Sequence, residues 1–362
     1  MNCRQTILLL IFLLPGFAPT ASRADAILGF HAAAERLPPD VPGELKRLIG
    51  EYRSGDAQLT VYESGGELLV QGLGLQASPL QRQSTTRFSV NDGKGRPSIP
   101  VEFQLDRDLQ AAAVVVGASR LQFKDIGQEV VARIRAGVKA DTGQLRASAL
   151  AAKPPTEPAA KRAFDLVDLA TVDAAIKFDI RYASSNNFIG FPLYERSAAY
   201  LQRPAAEALG RVQRALASRG YGLLIHDGYR PWFVTKMFWD ATPDSAHVFV
   251  ADPSQGSRHN RGCAVDLTLY DLKSGKTVEM TGRYDEMSPR SYADYVGGTS
   301  RQRWFRDLLR GEMEAQGFAV YPEEWWHFDY KEWSDYAIGT ATFSQLEPAQ
   351  GTIALRAYPR NL

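Results

Sequence analysis

The chain has 362 residues, 44% of them hydrophobic, and its 42 Lys and Arg residues nearly balance 41 Asp and Glu residues. The length suggests two domains, and the apolar content is sufficient for extensive hydrophobic cores. A formal net charge of +1 shows no bias toward nucleic acid or an anionic membrane, so neither is expected as a partner.

Residues 1–24 are predicted to be a secretory signal peptide. Arg4 precedes a strongly apolar run at residues 6–17, and small residues follow at positions 21–26. This order is typical of the charged, apolar and cleavage regions of a signal peptide. The run is short for a bilayer span, although a retained anchor is the alternative. We therefore expect a periplasmic or secreted protein with no stable membrane span after cleavage.

Residues 25–148 are predicted to form a β-rich accessory domain. Residues 57–63 and 67–71 have the composition of two strands, and Ser64-Gly65-Gly66 is a turn signal between them. Short strands separated by turn residues favour a small all-β barrel or sandwich. No cluster of catalytic residue types occurs here, so a binding or spacer role is expected. Further strand-like segments lie at residues 86–90, 101–105 and 112–116.

An Ala/Pro-rich stretch at residues 149–163 is predicted to be a semi-rigid linker. The domain after it, residues 164–362, mixes helix and strand patterns. Apolar residues recur at helical spacing in 205–219 and 303–316, whereas 222–225 and 264–270 are strand-like. The absence of a βαβ rhythm favours an α+β domain with a small antiparallel sheet and flanking helices.

A candidate metal site is divided between two stretches of this second domain. Ser257 begins the pattern S-x-H-x-x-G-x-A-x-D, which contains His259 and Asp266, and His327 follows about sixty residues later. Two imidazoles and one carboxylate form a three-ligand zinc set with an open fourth position, which is the catalytic arrangement. Asp266 lies in an apolar strand, where an unpaired carboxylate is unfavourable. A metal ion or a structural salt bridge could neutralise it.

Glu324 lies three residues before His327 and is a candidate general base. If residues 326–330 form a strand, the alternation of side chains places His327 and Asp329 on the same face. Glu324 would then occupy the turn that enters this strand, after Pro322. From there its carboxylate could approach a metal-bound water without being a ligand.

Arg230 belongs to the stretch Asp227-Gly228-Tyr229-Arg230-Pro231, at the end of the strand predicted at residues 222–225. An arginine at a strand end beside a metal can stabilise the oxyanion of a tetrahedral intermediate. The alternative is a surface arginine that follows a turn.

Taken together, these motifs resemble those of the zinc D-alanyl-D-alanine dipeptidases, which include the vancomycin-resistance dipeptidases. This family belongs to the wider group of D,D-peptidases related to lysostaphin. The resemblance covers residues 165 to about 335 in the same order, and the β-rich domain is an addition to it. The matching motifs are Ile180-Arg181-Tyr182, Asn186-Asn187-Phe188, Gly190 to Tyr194, Asp227 to Pro231, the S-x-H-x-x-G-x-A-x-D stretch, Met280 to Gly282, Tyr284 to Met287, and Glu324 to Phe328.

The resemblance implies a role for each candidate residue. Zn²⁺ would be held by His259, Asp266 and His327, with Glu324 as the general base and acid and Arg230 at the oxyanion. Ser257 would help to bind the substrate carboxylate, and Asp285 would pair with the free ammonium of a small D,D-dipeptide. A buried carboxylate of this kind favours a free amino end over an acylated one.

Two other functions are consistent with these patterns. A D,D-carboxypeptidase that trims peptidoglycan stem peptides would share the metal chemistry, and the predicted signal peptide favours such a substrate outside the cytoplasm. A catalytically silent protein that binds cell-wall fragments would explain the extra domain. Hydrolysis of a small D,D-dipeptide is the preferred function because the complete ligand set, Glu324, Arg230 and Asp285 are all present.

The remaining histidines and the cysteine left after cleavage are expected to be structural. No ligand spacing includes His31, His226 or His247. Cys263 lies between Gly262 and Ala264, where a small packing residue is expected rather than a nucleophile. As the only cysteine after cleavage, it cannot form an intramolecular disulfide.

Overall fold

Eight antiparallel strands form a closed barrel in the first half of the chain. The computed structural model describes residues 36–95, 97–138, 141–157 and 161–346, so the predicted signal peptide and His31 lie outside the described residues. A short helix, α1 (Gly43–Lys46), precedes the barrel. The strands are β1 (Gly50–Ser54), β2 (Ala57–Ser64), β3 (Glu67–Gly72), β4 (Leu75–Arg82), β5 (Arg87–Val90), β6 (Ile99–Leu105), β7 (Ala111–Val116) and β8 (Ser119–Phe123).

Each barrel strand pairs with the next one along the chain. The barrel closes where β8 pairs with β1 and Phe123 lies opposite Tyr52. The predicted turn joins β2 to β3, and Gly65 and Gly66 have φ values of 62° and 91° there. Such backbone angles strongly favour glycine, which explains the turn signal in the sequence. The all-β, barrel-like prediction is therefore confirmed.

The barrel interior is filled by side chains, so it is a core rather than an open channel. Val61 and Val70, on neighbouring strands, are fully buried in it. Tyr52 and Phe88 both pack edge-on against Phe103, with ring centroids 6.0 and 5.7 Å away. Small barrels of this strand number have interiors just wide enough to be filled in this way.

Helices follow the barrel, so the strands end at Phe123, earlier than the β-rich prediction to residue 148. Helix α2 (Ile126–Val138) and helix α3 (Thr142–Ala151) occupy this part of the chain. Their buried residues Ile134, Val138 and Ala149 belong to the hydrophobic core of the second half. Apolar residues at positions 130, 131, 134 and 138 have helical spacing, the pattern that indicates α2.

The predicted linker at residues 149–163 begins inside α3, which ends at Ala151. Pro154 and Pro155 follow and cannot continue the helix. Glu157 then accepts hydrogen bonds from the backbone N–H of Ile338 (2.6 Å) and from Nη1 of Arg261 (2.7 Å). This segment is therefore attached to the second half of the chain up to Glu157, and residues 158–160 lie outside the described residues.

A five-stranded sheet organises the second half, with the order β10-β12-β13-β15-β14. All of its pairings are antiparallel except that of β10 with β12, which is parallel. The predicted α+β fold with a small, largely antiparallel sheet is thus confirmed. The strands of this sheet are β10 (Lys177–Phe178), β12 (Tyr221–Asp227), β13 (Ala264–Asp271), β14 (Phe318–Tyr321) and β15 (Glu324–Tyr330). Two further strands, β9 (Leu166–Asp168) and β11 (Tyr200–Gln202), form a separate antiparallel pair.

Three helices pack around this sheet: α4 (Arg203–Ser218), α5 (Trp232–Ala241) and α6 (Ser300–Ala315). Helix α4 ends before Gly220, which has a φ of 87°, as expected for a helix-terminating glycine. Helix α6 starts with a capping box, in which Thr299 and Gln302 satisfy each other's backbone N–H groups. Among the described residues, no helix is long and apolar enough to cross a bilayer.

The barrel contacts the second half through the turn between β2 and β3. The carboxylate of Glu63 is almost fully buried and accepts hydrogen bonds from the backbone N–H of Ser300 (2.7 Å) and of Gly66 (2.7 Å). Arg303 donates to the backbone carbonyl of Glu63 at 2.6 Å. A carboxylate at the start of α6 is favoured by the unpaired N–H groups there.

Candidate active site

The three predicted metal ligands meet beside the two neighbouring strands β13 and β15, the first of which is the central strand of the sheet. Asp266 in β13 and His327 in β15 lie opposite each other in the antiparallel register, and His259 begins a short 3₁₀ turn just before β13. Oδ1 of Asp266 lies 3.3 Å from Nε2 of His259 and 3.1 Å from Nδ1 of His327. The two nitrogens are 3.1 Å apart. All three side chains are buried.

In each imidazole, the outer nitrogen, which points away from Asp266, has its own hydrogen-bond acceptor. Nδ1 of His259 is 2.7 Å from the carbonyl oxygen of Gly228, and Nε2 of His327 is 2.9 Å from Oδ1 of Asp329. These acceptors place the ring hydrogens on the outer nitrogens, so the inner nitrogens present lone pairs. Oδ1 of Asp266 has no hydrogen-bond donor among the described residues. The three inner atoms can therefore all direct lone pairs at one cation.

The arrangement fits a tetrahedral zinc ion. For bonds of about 2.0–2.2 Å, neighbouring ligand atoms of a tetrahedron lie about 3.3–3.5 Å apart, close to the observed 3.1–3.3 Å. Burial alone would raise the pKa of Asp266, but His259 and His327 hold that pKa well below its ordinary value. Burial opposes a charge on His327, yet Asp329 and Asp266 raise its pKa well above the ordinary value. A metal ion would therefore compete with a proton for this site.

Glu324 is the first residue of β15, directly after the turn at residues 322–323. The prediction placed it within that turn, one position away. Its Oε2 lies 3.5 Å from Nδ1 of His327. Burial raises the pKa of Glu324 to about 7; the charge of His327 opposes this shift, and that of Asp266 reinforces it. A carboxylate beside the ligand atoms with such a pKa can both accept and donate a proton near neutral pH.

Arg230 is buried beside the ligands rather than exposed on the surface. Its Nε and Nη2 donate to Oδ2 of Asp227 at 2.9 and 2.8 Å, and Nη2 lies 3.7 Å from Oδ2 of Asp266. The guanidinium also lies over the ring of Phe238, 4.6 Å from its centroid. A forked bond to one carboxylate fixes the orientation of the guanidinium.

A β-bulge places Asp227, the hydrogen-bond partner of Arg230, beside these candidate ligands. The register of β12 against β13 shifts between Ile225 and Asp227, so Asp227 lies opposite Asp266. Oδ1 of Asp227 accepts from the hydroxyl of Tyr194 (2.6 Å) and the N–H of Gly228 (2.9 Å). Asp227 lies in a motif that the sequence shows, but its role could not be predicted because a bulge has no clear sequence signal.

Ser257 lies two residues before the turn that begins at His259, and it is buried. Its hydroxyl accepts a hydrogen bond from the backbone N–H of His259 at 3.2 Å, and its own N–H donates to Oδ1 of Asn260 at 2.8 Å. These bonds hold the side chain beside the ligand turn. The structure therefore brings Ser257 together with the candidate metal ligands.

Asp285 follows Tyr284 in the loop between β13 and α6 and has a φ of 58°. Its Oδ1 accepts a hydrogen bond from the hydroxyl of Tyr182 at 2.9 Å. Its Oδ2 is buried and has no partner among the described residues. Burial raises the pKa of Asp285 well above its ordinary value, and the nearby charge of Asp266 adds to this shift.

One cavity of about 450 Å³ connects these groups. Its volume is within the range of small-molecule sites. The cavity is lined by all seven predicted site residues, Arg230, Ser257, His259, Asp266, Asp285, Glu324 and His327, and by the aromatic rings of Tyr182, Phe238 and Trp326.

The other predicted structural residues lie away from the ligand atoms. His226 is buried with its ring 4.5 Å from that of Tyr284, and burial lowers its pKa to about 4. His247 stacks on Trp239 at 3.7 Å. Cys263 is fully buried, and burial raises the pKa of its thiol to about 12. A thiol with this pKa is a packing group rather than a nucleophile at neutral pH.

Comparison with known proteins gives a family match for most of the second half. The Peptidase_M15 family model, described as D-ala-D-ala dipeptidase, matches residues 162–340. A D-alanyl-D-alanine dipeptidase of Escherichia coli K12 is 34% identical over 180 residues, which are 50% of this chain and 92% of that protein. The D-alanyl-D-alanine dipeptidase of Enterococcus faecium is 35% identical over 42% of this chain and 85% of its own length. That of Streptomyces coelicolor is 36% identical over 46% of this chain and 92% of its own length.

Proposed function

Because the chain belongs to the D-Ala-D-Ala dipeptidase family of metallopeptidases, we propose that it hydrolyses D-alanyl-D-alanine with a zinc ion held by His259, Asp266 and His327. Membership of this family confirms the resemblance that the sequence motifs indicated. The barrel and helices α2 and α3 lie outside the matched residues 162–340.

One observation carries the proposal: the three inner ligand atoms lie 3.1–3.3 Å from one another, close enough to share one metal ion. A bound zinc ion would supply Lewis acidity and lower the pKa of water to about 7. The protein supplies rigid ligands, since Asp266 and His327 lie on paired strands and His259 is oriented by Gly228. Little rearrangement is then needed when the metal binds.

Glu324 is the residue that would move protons in this reaction. Its carboxylate lies beside the ligand atoms, 3.5 Å from Nδ1 of His327, and has a pKa of about 7. It would take a proton from the attacking water and deliver it to the amine that leaves. A pKa near the working pH is best suited to both transfers.

Arg230 would stabilise the oxyanion that develops on the scissile carbonyl. The forked bond to Asp227 keeps the guanidinium oriented before substrate arrives, so little reorganisation accompanies the reaction. Removal of one such donor typically lowers the rate about 10²–10³-fold.

Ser257 and Asp285 would bind the two charged ends of the dipeptide. Ser257 would help to hold the carboxylate, and the buried Oδ2 of Asp285 would pair with the free ammonium. An acylated amino end brings no ammonium, so the favourable pairing with this oxygen is lost. This pairing is the reason to prefer a dipeptide as the substrate.

A panel of peptides assayed with and without a chelator tests the proposal. The purified, zinc-loaded protein should release D-alanine from D-Ala-D-Ala, should act poorly on N-acetyl-D-Ala-D-Ala and on L-Ala-L-Ala, and should lose activity when zinc is removed. Absence of metal-dependent D-alanine release would contradict the proposal. Preference for the N-acetylated peptide would indicate a D,D-carboxypeptidase instead.

A specific feature keeps the D,D-carboxypeptidase as the second candidate. A larger cavity of about 670 Å³ adjoins the first and shares Phe188, Asp285 and Glu286 with it. Helix α2 lines this second cavity with Gly127, Val131 and other residues. A longer stem peptide could use this space if the Asp285 loop moved. The predicted signal peptide supports a location in the periplasm or outside the cell for either activity.

A further inference from the structure

Three contacts join the carboxyl group of Asp285 to that of the metal ligand Asp266. The hydroxyl of Tyr182 is 2.9 Å from Oδ1 of Asp285 and 3.2 Å from the hydroxyl of Tyr284. The hydroxyl of Tyr284 is 3.0 Å from Oδ2 of Asp266. We call this row of four side chains the tyrosine relay. It links the residue proposed to bind ammonium with a residue proposed to bind zinc.

The relay has one hydrogen too few if both carboxyl groups are ionised. Each phenol supplies one hydrogen, so two hydrogens would have to serve three contacts. One pair of oxygens would then face each other without a hydrogen, which is unfavourable for largely buried groups. A proton on Asp285 removes the shortage. Asp285 then donates to Tyr182, Tyr182 to Tyr284, and Tyr284 to Asp266.

The surroundings favour this proton on Asp285 rather than on Asp266. Oδ1 of Asp266 faces the two inner imidazole nitrogens, where a cation keeps the carboxylate ionised. Asp285 lies near the negative groups of Asp266 and Glu324, with Arg230 as the opposing positive charge. Burial and the charge of Asp266 raise the pKa of Asp285, and the hydrogen bond of Tyr182 opposes the shift without reversing it.

We propose that Asp285 carries a proton in the free enzyme, held in place by Tyr182 and Tyr284, and that the free ammonium of a peptide displaces this proton on binding. The inference rests on the proposed function, in which Asp285 binds that ammonium. The exchange is balanced, because one proton leaves to solvent as one positive charge arrives. An N-acylated peptide brings no charge, so Asp285 keeps its proton. Tyr284 is a positioning residue here, since it acts through Tyr182 and Asp285.

Proton release on binding is the quantity to measure. Zinc-loaded Glu324→Gln protein, with its zinc content verified, would be titrated with D-Ala-D-Ala by calorimetry at pH 7 in buffers of different ionisation enthalpy. We expect about one proton released per peptide bound. N-acetyl-D-Ala-D-Ala should release almost none. Tyr284→Phe in the same background should release clearly less, because Tyr182 can then donate to an ionised Asp285.

Asp285→Asn in the same background is the matched control. Asparagine is nearly isosteric and tolerates the left-handed backbone at a φ of 58°, so the loop should keep its conformation. This variant should still bind zinc, should bind D-Ala-D-Ala more weakly, and should release almost no proton.

Each outcome has a defined meaning. Binding of D-Ala-D-Ala without proton release, or equal release with the N-acetylated peptide, would overturn the inference while leaving the proposed function intact. Unchanged release in Tyr284→Phe would overturn the role of the relay. If the zinc-loaded Glu324→Gln protein does not bind D-Ala-D-Ala at all, the proposed function fails and the inference fails with it.

Discussion

Asp266 and His327 lie directly opposite each other on paired antiparallel strands, with Oδ1 of Asp266 3.1 Å from Nδ1 of His327. The backbone hydrogen bonds of β13 and β15 thus set the separation of two candidate ligands that are sixty-one positions apart in the chain. A site built on paired strands is more rigid than one built on loops alone. The third ligand, His259, lies on a turn but is anchored to the carbonyl of Gly228.

Replacing Glu324 should separate catalysis from metal binding. Glu324→Ala should keep one zinc ion per chain but lose about 10²–10⁴-fold in kcat, because proton transfer typically contributes this much. Metal analysis and steady-state kinetics on D-Ala-D-Ala measure the two effects. Glu323→Ala, in the adjoining turn, is the matched control and should behave as the unmodified protein. Loss of zinc from Glu324→Ala would instead identify Glu324 as a ligand.

Removing Asp329 should weaken zinc binding. Oδ1 of Asp329 lies 2.9 Å from Nε2 of His327 and holds the ring with its other nitrogen toward the metal. Asp329→Ala should therefore lower zinc affinity about 10–100-fold, measured by competition with a chelator of known affinity. Asp294→Ala is the control, since Asp294 is exposed. Equal zinc affinity in both variants would show that Asp329 does not orient His327.

Glu51 should make the stability of the protein depend on pH. Burial raises its pKa to about 7 from an ordinary value of 4.5; Arg290 opposes the shift, and Glu286 adds to it. Between pH 4.5 and about 7 the unfolded chain therefore binds fewer protons than the folded one. Stability contributed by this residue falls as pH rises through this window. The loss of this contribution is complete above the pKa that Glu51 has in the folded protein.

The Glu51→Gln variant tests this dependence. It should be more stable than the unmodified protein at pH 8, by roughly 1–3 kcal/mol, and nearly equal at pH 4.5. Thermal unfolding at both pH values measures the difference. Glu67→Gln, at an exposed barrel position, should show no such pH dependence. A variant that is less stable at pH 8 would mean that the contact with Arg290, 3.7 Å away, outweighs burial.

Truncating Glu63 should loosen the attachment of the barrel to α6. Its buried carboxylate accepts from two backbone N–H groups, those of Ser300 and Gly66, and Glu63→Ala would leave both without this acceptor. The expected loss is about 1–3 kcal/mol, seen as a lower melting temperature with zinc content unchanged. Glu67→Ala is the control, and an equal effect in both variants would contradict the role of Glu63.

The sequence by itself was sufficient for the local features and for the set of chemical groups. Sequence patterns indicated five of the eight barrel strands. Helical spacing at 205–219 and 303–316 indicated the helices found at 203–218 and 300–315, because these elements bury one face each. Gly65 and Gly66 marked a turn because their backbone angles exclude most other residues. The ligand types and Glu324 could be recognised since few side chains can bind zinc or transfer protons at neutral pH.

Only the tertiary structure decided how these groups act on one another. Helices α2 and α3 join the core of the second half, which no local pattern reveals. The tyrosine relay connects Tyr182 with Tyr284 and Asp285, about a hundred residues later in the chain. The pKa of about 7 at Glu324 arises from burial, and burial depends on every element that packs around the cavity. Contacts between distant residues are set by packing, so their geometry could not be inferred from the order of residues.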